Sequence, residues 1–267
     1  MEVLQRPGGE LATRPIHFFW VVDCSGSMYG EKIGIVNNTI QECIPEMRSA
    51  ADNNPNAQLL IRALQFSSGA SWITSSPVPV EDYGWEDMDA NGLTELGKAF
   101  DLLAAQLNIP PMPERALPPV IVLLSDGQPT DDYKKNMEKL KKLPWFRKAV
   151  KIAISIGQDA DDEVLIEFTG NKELVLQANN ATALAKMIKW ASTTASMVSA
   201  PSSKPMNSVA ASTPAVSAST PVTASGASVV ASVPADDPFA PANNGAPLVL
   251  DMSNIPNPDD FDEGAVW

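Results

Sequence analysis

Residues 18–33 read FFWVVDCSGSMYGEKI. An apolar run ends at Asp23, and Ser25 and Ser27 follow at alternate positions before a glycine opens a new segment. Three oxygen-bearing side chains at the end of a buried strand fit a capped turn, a catalytic nucleophile with its helpers, or part of a site for a hard cation. The rest of the chain must distinguish these three interpretations.

The first 197 residues alternate between apolar, β-rich runs and amphipathic stretches of helical periodicity. The runs lie at 16–22, 57–66, 118–125, 148–156 and 173–177, and the helical stretches near 31–51, 94–107, 131–142, 161–169 and 180–196. Apolar strands separated by helices predict a doubly wound α/β fold, in which a mostly parallel central sheet carries helices on both faces. Such sheets bind ligands at the carboxyl ends of their strands, where the strand order reverses. Asp23 lies at one of these ends.

Two segments modify this predicted arrangement. Residues 71–80, SWITSSPVPV, are expected to add an antiparallel edge strand after the second strand. Pro45 lies within the first helical stretch, and we expect it to kink that helix or to end its first half, because proline removes a backbone hydrogen bond.

The composition of the chain changes sharply near residue 198. Residues 198–247 consist mainly of Ala, Ser, Pro, Thr and Val, which bury too little apolar surface to offset the entropy of ordering the chain. We therefore expect an N-terminal extension over 1–13, a folded domain over 14–197 and a disordered linker over 198–247. Residues 248–267 regain large apolar side chains among acidic ones, which fits either a docking peptide or a plain disordered terminus.

The 267-residue chain carries a formal net charge of −13. This charge argues against nucleic acid and anionic membranes as partners, because both require clustered basic side chains. The two cysteines, Cys24 and Cys43, are not spaced like a zinc site, and a free thiol beside Asp23 suits a reducing compartment. The first residues have no signal-peptide pattern and no apolar stretch reaches about 20 residues, so the expected location is the cytoplasm.

Two catalytic interpretations of Asp23 meet specific objections. A Ser-His-Asp relay needs an imidazole within hydrogen-bond reach of the serine, but the only histidine, His17, lies at the start of the first strand. Aspartyl phosphoryl transfer suits a strand that ends in Asp, but Ser25 occupies the place where haloacid-dehalogenase-type phosphatases carry a second Asp. No P-loop pattern occurs either. A metal-dependent phosphoryl-transfer enzyme that uses Asp23 is kept as the alternative to a binding protein.

Two later loops supply further oxygen atoms for a metal site. DANGLTELGKAF (89–100) places Thr94 in a loop that leads into a helix, and VIVLLSDGQPTDD (120–132) ends a buried strand beside Asp126. Alone, Thr94 could be a helix cap and Asp126 could open a turn. Together with Asp23, Ser25 and Ser27 they form a set of oxygen ligands at open strand ends, which is the chemistry that Mg²⁺ prefers.

The sequence resembles a von Willebrand factor A (VWA) domain, a Rossmann-like fold whose metal-ion-dependent adhesion site (MIDAS) has the pattern Asp-x-Ser-x-Ser, a distant Thr and a later Asp. The corresponding metal-site residues here are Asp23, Ser25, Ser27, Thr94 and Asp126. RPIHFFWVVDCSGSM, NGLTELGKAF, LLSDGQPTDD and ALAKMIKWASTTAS are also similar to bacterial TerY-like proteins of tellurite-resistance clusters. One departure is Leu93, where many relatives carry glycine.

This resemblance implies a binding module rather than an enzyme. The implied cofactor is Mg²⁺, with Mn²⁺ or Ca²⁺ as alternatives, and a Glu or Asp of a protein partner would complete its coordination. TerY-like proteins are associated with a protein kinase and a metal-dependent phosphatase. The resemblance therefore implies a scaffold or regulator in a bacterial stress, tellurite-resistance or phosphorylation-signalling system.

Overall fold

The structure is a computed structural model of the chain. It describes residues 14–52, 57–126, 128–157, 160–179 and 182–189, together with the backbone of 228–231 and 248–251. The strands of the main domain are β1 (Arg14–Asp23), β2 (Ala57–Ser67), β3 (Gly69–Trp72), β4 (Val78–Pro79), β5 (Val120–Ser125), β6 (Val150–Ile156) and β7 (Val175–Ala178). The helices are α1 (Glu31–Asp52), α2 (Leu96–Gln106), α3 (Tyr133–Lys142), α4 (Pro144–Lys148), α5 (Asp162–Thr169) and α6 (182–189). Short 3₁₀ turns cover Gly26–Met28 and Lys172–Leu174.

In the described part of the chain, the seven strands form one sheet in the order β3-β2-β1-β5-β6-β7, with β4 also paired to β2. Strands β2, β1, β5, β6 and β7 are mutually parallel, and β3 and β4 run antiparallel to β2. Strand β1 lies between β2 and β5, so the strands before β5 lie on one side of β1 and those from β5 onward lie on the other. The strand order therefore reverses between β1 and β5, the place where such sheets bind ligands.

The central strand β1 is buried on both faces, which explains its continuous apolar sequence. Phe18, Trp20 and Val22 pack in the layer beneath α1 and α6. Phe19 and Val21 pack in the opposite layer, beneath α2, α3 and α5. This alternation confirms the predicted α/β fold with helices on both faces of a mostly parallel sheet. It also holds the carboxyl end of β1 rigidly in the middle of the sheet edge.

The predicted edge strand over 71–80 is two short strands, β3 and β4, rather than one. The backbone carbonyls between β3 and β4 accept hydrogen bonds from the Arg62 side chain. Arg62 donates to the carbonyl of Thr74, at 3.1 Å from Nε and 3.0 Å from Nη2, and to that of Ser75 at 2.8 Å. Arg62 also lies over the Trp72 ring, 4.1 Å from its centroid. These contacts hold the carbonyl groups away from the strand ladder, so pairing stops and resumes at Val78.

Several element boundaries differ from the prediction for local reasons. Helix α1 does not end at Pro45 but continues to Asp52, since buried residues on both sides of the proline keep the helix packed on the sheet. Strand β5 begins after 118–119, two prolines that have no N–H group for the ladder. The start of the predicted strand 148–156 is shortened by helix α4, which the sequence analysis did not predict.

Two further strands, β8 (Ser228–Ala231) and β9 (Leu248–Asp251), pair with each other in antiparallel orientation. They fall in the predicted linker and terminal peptide. The predicted N-terminal extension 1–13 and the remainder of 198–267 lie outside the described residues. Within the parts of the chain that the structure describes, each helix is too short or too polar to span a lipid bilayer.

Candidate metal centre

Asp23 ends β1 with its side chain fully buried, at 0% exposure. Its Oδ1 accepts a hydrogen bond from the backbone N–H of Ser25 at 2.9 Å, which folds the loop back over the strand end. Its Oδ2 accepts from the hydroxyl of Ser125 on the neighbouring strand β5 at 2.6 Å. Asp23 is therefore fixed in orientation from both sides of the point where the strand order reverses.

A chain of hydrogen bonds links the β1 loop to Asp126. The hydroxyls of Ser25 and Ser27 lie 3.0 Å apart and share a hydrogen bond. Ser27 donates to Asp126 Oδ1 at 2.7 Å, and Lys32 from the first turn of α1 donates to Asp126 Oδ2 at 2.5 Å. Both oxygens of the second carboxylate thus have partners, one neutral and one cationic.

Thr94 is buried and lies in the loop before α2, where its backbone is paired with Thr130 from the loop after β5. The N–H of Thr94 donates to Thr130 Oγ1 at 3.1 Å, and the N–H of Thr130 donates to the carbonyl of Thr94 at 2.9 Å. On the other side, the N–H of Gly26 donates to the carbonyl of Gly92 at 3.1 Å. These contacts hold the Thr94 loop against both the Asp23 loop and the Asp126 loop.

The structure thus brings together the residues that the sequence indicated. Four of them, Asp23, Ser25, Ser27 and Asp126, are joined by hydrogen bonds, and Thr94 is placed beside them by its loop contacts. Their side chains offer only carboxylate and hydroxyl oxygens, the donor set of a hard cation such as Mg²⁺. Among the described residues, no group of three or more His, Cys, Asp or Glu side chains is arranged to hold a metal. Because the five predicted site residues offer no nitrogen or sulfur, their donor set is unlike a nitrogen- and sulfur-ligated zinc site.

Electrostatics at the site favour an added positive charge. Burial raises the pKa of Asp23, hydrogen bonds from Ser125 and Ser25 lower it in part, and the nearby charge of Asp126 raises it again. The protein therefore holds two carboxylates close enough to repel each other, and one of them, Asp23, is shielded from water by burial. A cation placed between them would reverse this repulsion.

Neither of the other reactive side chains near β1 belongs to the site. The Cys24 thiol is buried, and desolvation first, then the charges of Asp23 and Asp89, raises its pKa to about 12, which suppresses the reactive thiolate. In the described part of the chain, neither Cys24 nor Cys43 is part of a disulfide bond. His17 lies in the first half of β1, where it is buried and stacked on Phe19 with ring centroids 5.9 Å apart. This position agrees with the exclusion of a Ser-His-Asp relay.

Three contributors were missed by the sequence analysis. Ser125 orients Asp23, Thr130 holds the backbone of Thr94, and Lys32 pairs with Asp126. One signal was available for Lys32: a cation in the first turn of a helix opposes the helix dipole and needs a nearby anion to stabilise it. No comparable pattern singles out Ser125 or Thr130, because their roles depend on which strands become neighbours.

A family model of the von Willebrand factor type A domain matches residues 19–190, more than half of the 267-residue chain. The chain belongs to the VWA family. VWA domains are commonly metal-dependent (MIDAS) modules for protein–protein interaction and are typically not catalytic. The hydrogen-bonded set around Asp23 lies at the carboxyl edge of the sheet of this VWA domain.

Solved structures with the same fold come from several kinds of protein. They include the ArnB paralog VWA2 from Sulfolobus acidocaldarius, with 20% identity, a TM-score of 0.51 and coverage of 66% of this chain and 44% of that chain. The von Willebrand factor type A protein from Catenulispora acidiphila has 15% identity, a TM-score of 0.51 and coverage of 69% and 43%. The open form of the pilus adhesin SpaC from Lactobacillus rhamnosus GG has 14% identity, a TM-score of 0.54 and coverage of 67% and 30%.

At these identities the likeness shows a shared fold alone. The aligned part of this VWA domain spans less than half the length of each of the three solved chains. A comparison with curated proteins gives no match.

Proposed function

We propose that this VWA domain is a metal-dependent protein-interaction module in which Asp23, Ser25, Ser27, Thr94 and Asp126 hold Mg²⁺, with Mn²⁺ or Ca²⁺ as alternatives. The observation that carries the proposal is the continuous set of hydrogen bonds from Ser125 through Asp23, Ser25 and Ser27 to Asp126. These bonds link oxygen atoms of two loops at the carboxyl edge of the sheet, which supports the proposed set of ligands. A bound cation there would supply the electrostatic attraction for a ligand.

The donor set indicates what the ligand would contribute. Three of the five proposed ligands are neutral hydroxyl groups, so only the two carboxylates would compensate the charge of a divalent cation. A carboxylate from outside would be attracted to such a cation and would complete its coordination. We therefore propose that the partner is a protein that presents a Glu or Asp side chain to this edge of the sheet.

The surface around the metal loops supports a protein partner rather than a small solvated ligand. Tyr29 follows the Ser27 loop and is 80% exposed, and Leu93 precedes Thr94 and is 54% exposed. The Gly26–Gly92 hydrogen bond at 3.1 Å joins the two loops that carry these side chains. Large apolar side chains beside a charged centre are typical of residues that become buried when two proteins bind.

A binding role also fits the state of Asp23. The residue two positions after Asp23 is a serine, which cannot act as a general acid near neutral pH. Aspartyl phosphoryl transfer of the haloacid-dehalogenase type needs a proton donor at that position. We therefore propose that this protein is not an enzyme.

The test is a metal titration of the full chain, with bound Mn²⁺ followed by electron paramagnetic resonance and Mg²⁺ binding followed by calorimetry. Asp23→Ala should weaken metal binding at least about a hundredfold, since loss of residues outside the first coordination shell already costs about 10–100-fold. Glu114→Gln is the matched control, because it removes one negative charge from an exposed loop residue before β5. Equal metal affinity of wild type and Asp23→Ala, with circular dichroism showing both folded, would refute the proposed site.

The partner is sought by affinity capture from a lysate of the source cells, in Mg²⁺ and in EDTA. A partner retained by wild type and Glu114→Gln only with Mg²⁺, and lost with Asp23→Ala, supports the proposal and identifies the interaction. Partners captured equally in Mg²⁺ and EDTA, and equally by wild type and Asp23→Ala, would mean that the interaction uses another surface.

The cellular setting is a further proposal that rests on the TerY-like sequence segments. It places the protein in the bacterial cytoplasm, as a scaffold or regulator beside a Ser/Thr protein kinase and a metal-dependent phosphatase in a stress or tellurite-resistance system. The same capture experiment addresses it, because a kinase or phosphatase should appear among the Mg²⁺-dependent partners. Partners of unrelated classes would contradict this setting and leave the metal-dependent interaction in place.

A further inference from the structure

Lys32 occupies a position that its own helix disfavours. It is the second residue of α1, where the unpaired N–H groups of the first turn give the helix end a partial positive charge. A cation in this turn is destabilising unless an anion compensates it. Its Nζ lies 2.5 Å from Oδ2 of Asp126, so the compensation comes from one of the two carboxylates of the proposed metal site.

The pair is partly shielded from water. The side chain of Lys32 is 20% exposed and that of Asp126 is 0% exposed. The lysine end lies over the carboxyl end of β6, because a Cβ atom built on Gly157 would be 3.4 Å from its Nζ and 3.8 Å from its Cε. An ion pair in this environment is screened less than one on the open surface.

We propose that Lys32 is a built-in counter-cation that keeps the metal centre electrophilic: it weakens the binding of the metal alone and strengthens the binding of a carboxylate to the metal-loaded site. This inference rests on the metal site proposed above. Two carboxylates and one divalent cation would give a neutral centre, whereas the ammonium group of Lys32 adds one positive charge. The centre then carries a net positive charge that an incoming carboxylate neutralises.

The positive charge of Lys32 has two consequences for binding. Lys32 repels the metal, so it lowers the affinity of the free protein for a divalent cation. It also attracts the partner's carboxylate, so the metal-loaded site binds a carboxylate more tightly than it would without Lys32. Without Lys32, the metal would bind more tightly by itself, and a given subsaturating concentration of carboxylate would tighten metal binding less.

The experiment measures Mn²⁺ affinity of the full chain by electron paramagnetic resonance for wild type, Lys32→Met, Lys32→Arg and Lys98→Met. Lys98 is the matched control because it is an exposed lysine in the first turn of α2. Lys32→Met should bind Mn²⁺ about tenfold more tightly, the effect of one unit charge several ångströms away at a partly exposed site. Lys32→Arg and Lys98→Met should bind it like wild type.

The effect on carboxylate binding is measured with acetate as the probe carboxylate, by repeating each Mn²⁺ titration at increasing, subsaturating acetate concentration. Acetate should tighten Mn²⁺ binding to wild type and to Lys32→Arg more than binding to Lys32→Met. Equal enhancement in wild type and Lys32→Met would overturn the role given to Lys32 in carboxylate binding. The arginine variant distinguishes charge from packing, since it restores the cation with a different side-chain shape.

Failure of this inference is distinguishable from failure of the metal site. If Asp23→Ala loses Mn²⁺ and Lys32→Met binds it with unchanged or lower affinity, the metal site stands and the role given to Lys32 is wrong. Lower affinity would mean that Lys32 holds Asp126 in its binding orientation. If wild type and Asp23→Ala bind Mn²⁺ alike, both proposals are wrong.

Discussion

His17 should make the stability of this domain depend on pH between neutral and mildly acidic conditions. The imidazole is buried, and desolvation lowers its pKa from 6.5 to about 4. Among the described residues, neither of its ring nitrogens has a hydrogen-bond partner. The folded protein therefore resists protonation of His17, whereas the unfolded chain takes up the proton near its ordinary pKa.

The direction and size of the effect follow from these two pKa values. Above pH 6.5 both states hold a neutral His17, so the free energy of unfolding carries no penalty from this residue. As the pH falls through 6.5 the unfolded state gains protons first, and stability decreases until the pH reaches the folded-state value. The expected loss is about 2 kcal/mol between pH 7 and pH 5, and about 3 kcal/mol by pH 4.

The assay is urea unfolding of wild type and His17→Phe from pH 7.5 to pH 4.5. Subtracting the two curves removes the contribution of the acidic residues, and His17 is the only histidine in the chain. Phenylalanine keeps a ring for stacking on Phe19 and removes both unpaired nitrogens. The wild-type curve should fall below that of His17→Phe as the pH decreases, and parallel curves would refute the reasoning. Metal titrations of different variants should accordingly be compared above pH 6.5.

Two other substitutions test how the loops at the site are held. Asn37 makes three hydrogen bonds: it accepts from Met88 N–H at 3.0 Å and from Trp85 Nε1–H at 3.1 Å, and it donates to the Met88 carbonyl at 2.9 Å. At about 1 kcal/mol for each bond, Asn37→Ala should lower the free energy of unfolding by roughly 3 kcal/mol in urea titrations. A loss below about 1 kcal/mol would contradict this estimate. Gly92→Ala should cost roughly 2 kcal/mol and weaken Mn²⁺ binding, because Gly92 has φ +79° and its added Cβ would lie 2.5 Å from Ser68 Oγ. Wild-type Mn²⁺ affinity would show that the loop tolerates the change.

The sheet could be predicted from the sequence because its strands are buried on both faces. Burial on both faces demands continuous apolar runs, and such runs are visible without knowledge of the neighbours, as in β1 and β5. The edge of the sheet could not be predicted in the same detail. There the limits of β3 and β4 depend on Arg62, whose contacts with the backbone at Thr74 and Ser75 bridge 12 and 13 positions along the chain.

The candidate site divides in a similar way. Residues at the end of a strand or directly after it, such as Asp23 and Asp126, could be predicted as site residues because the parallel topology brings strand ends together. Ser125 and Thr130 could not be given roles, since a serine or threonine near a turn is common and its partner is chosen only by the fold. Lys32 is intermediate, because its position in a helix N-terminus indicates an anion nearby but does not identify Asp126.

The net charge of the chain limits how an acidic partner can be recognised. At −13, the protein as a whole repels a carboxylate, so attraction cannot come from the overall field. At physiological ionic strength, however, charges separated by more than about 8 Å are largely screened, whereas a cation in direct contact with its ligand is not. Recognition must therefore be decided at contact distance, by the bound metal and by the ammonium group of Lys32 beside Asp126. Removing the metal would leave two carboxylates facing a third, and the same surface would then repel the partner it is proposed to bind.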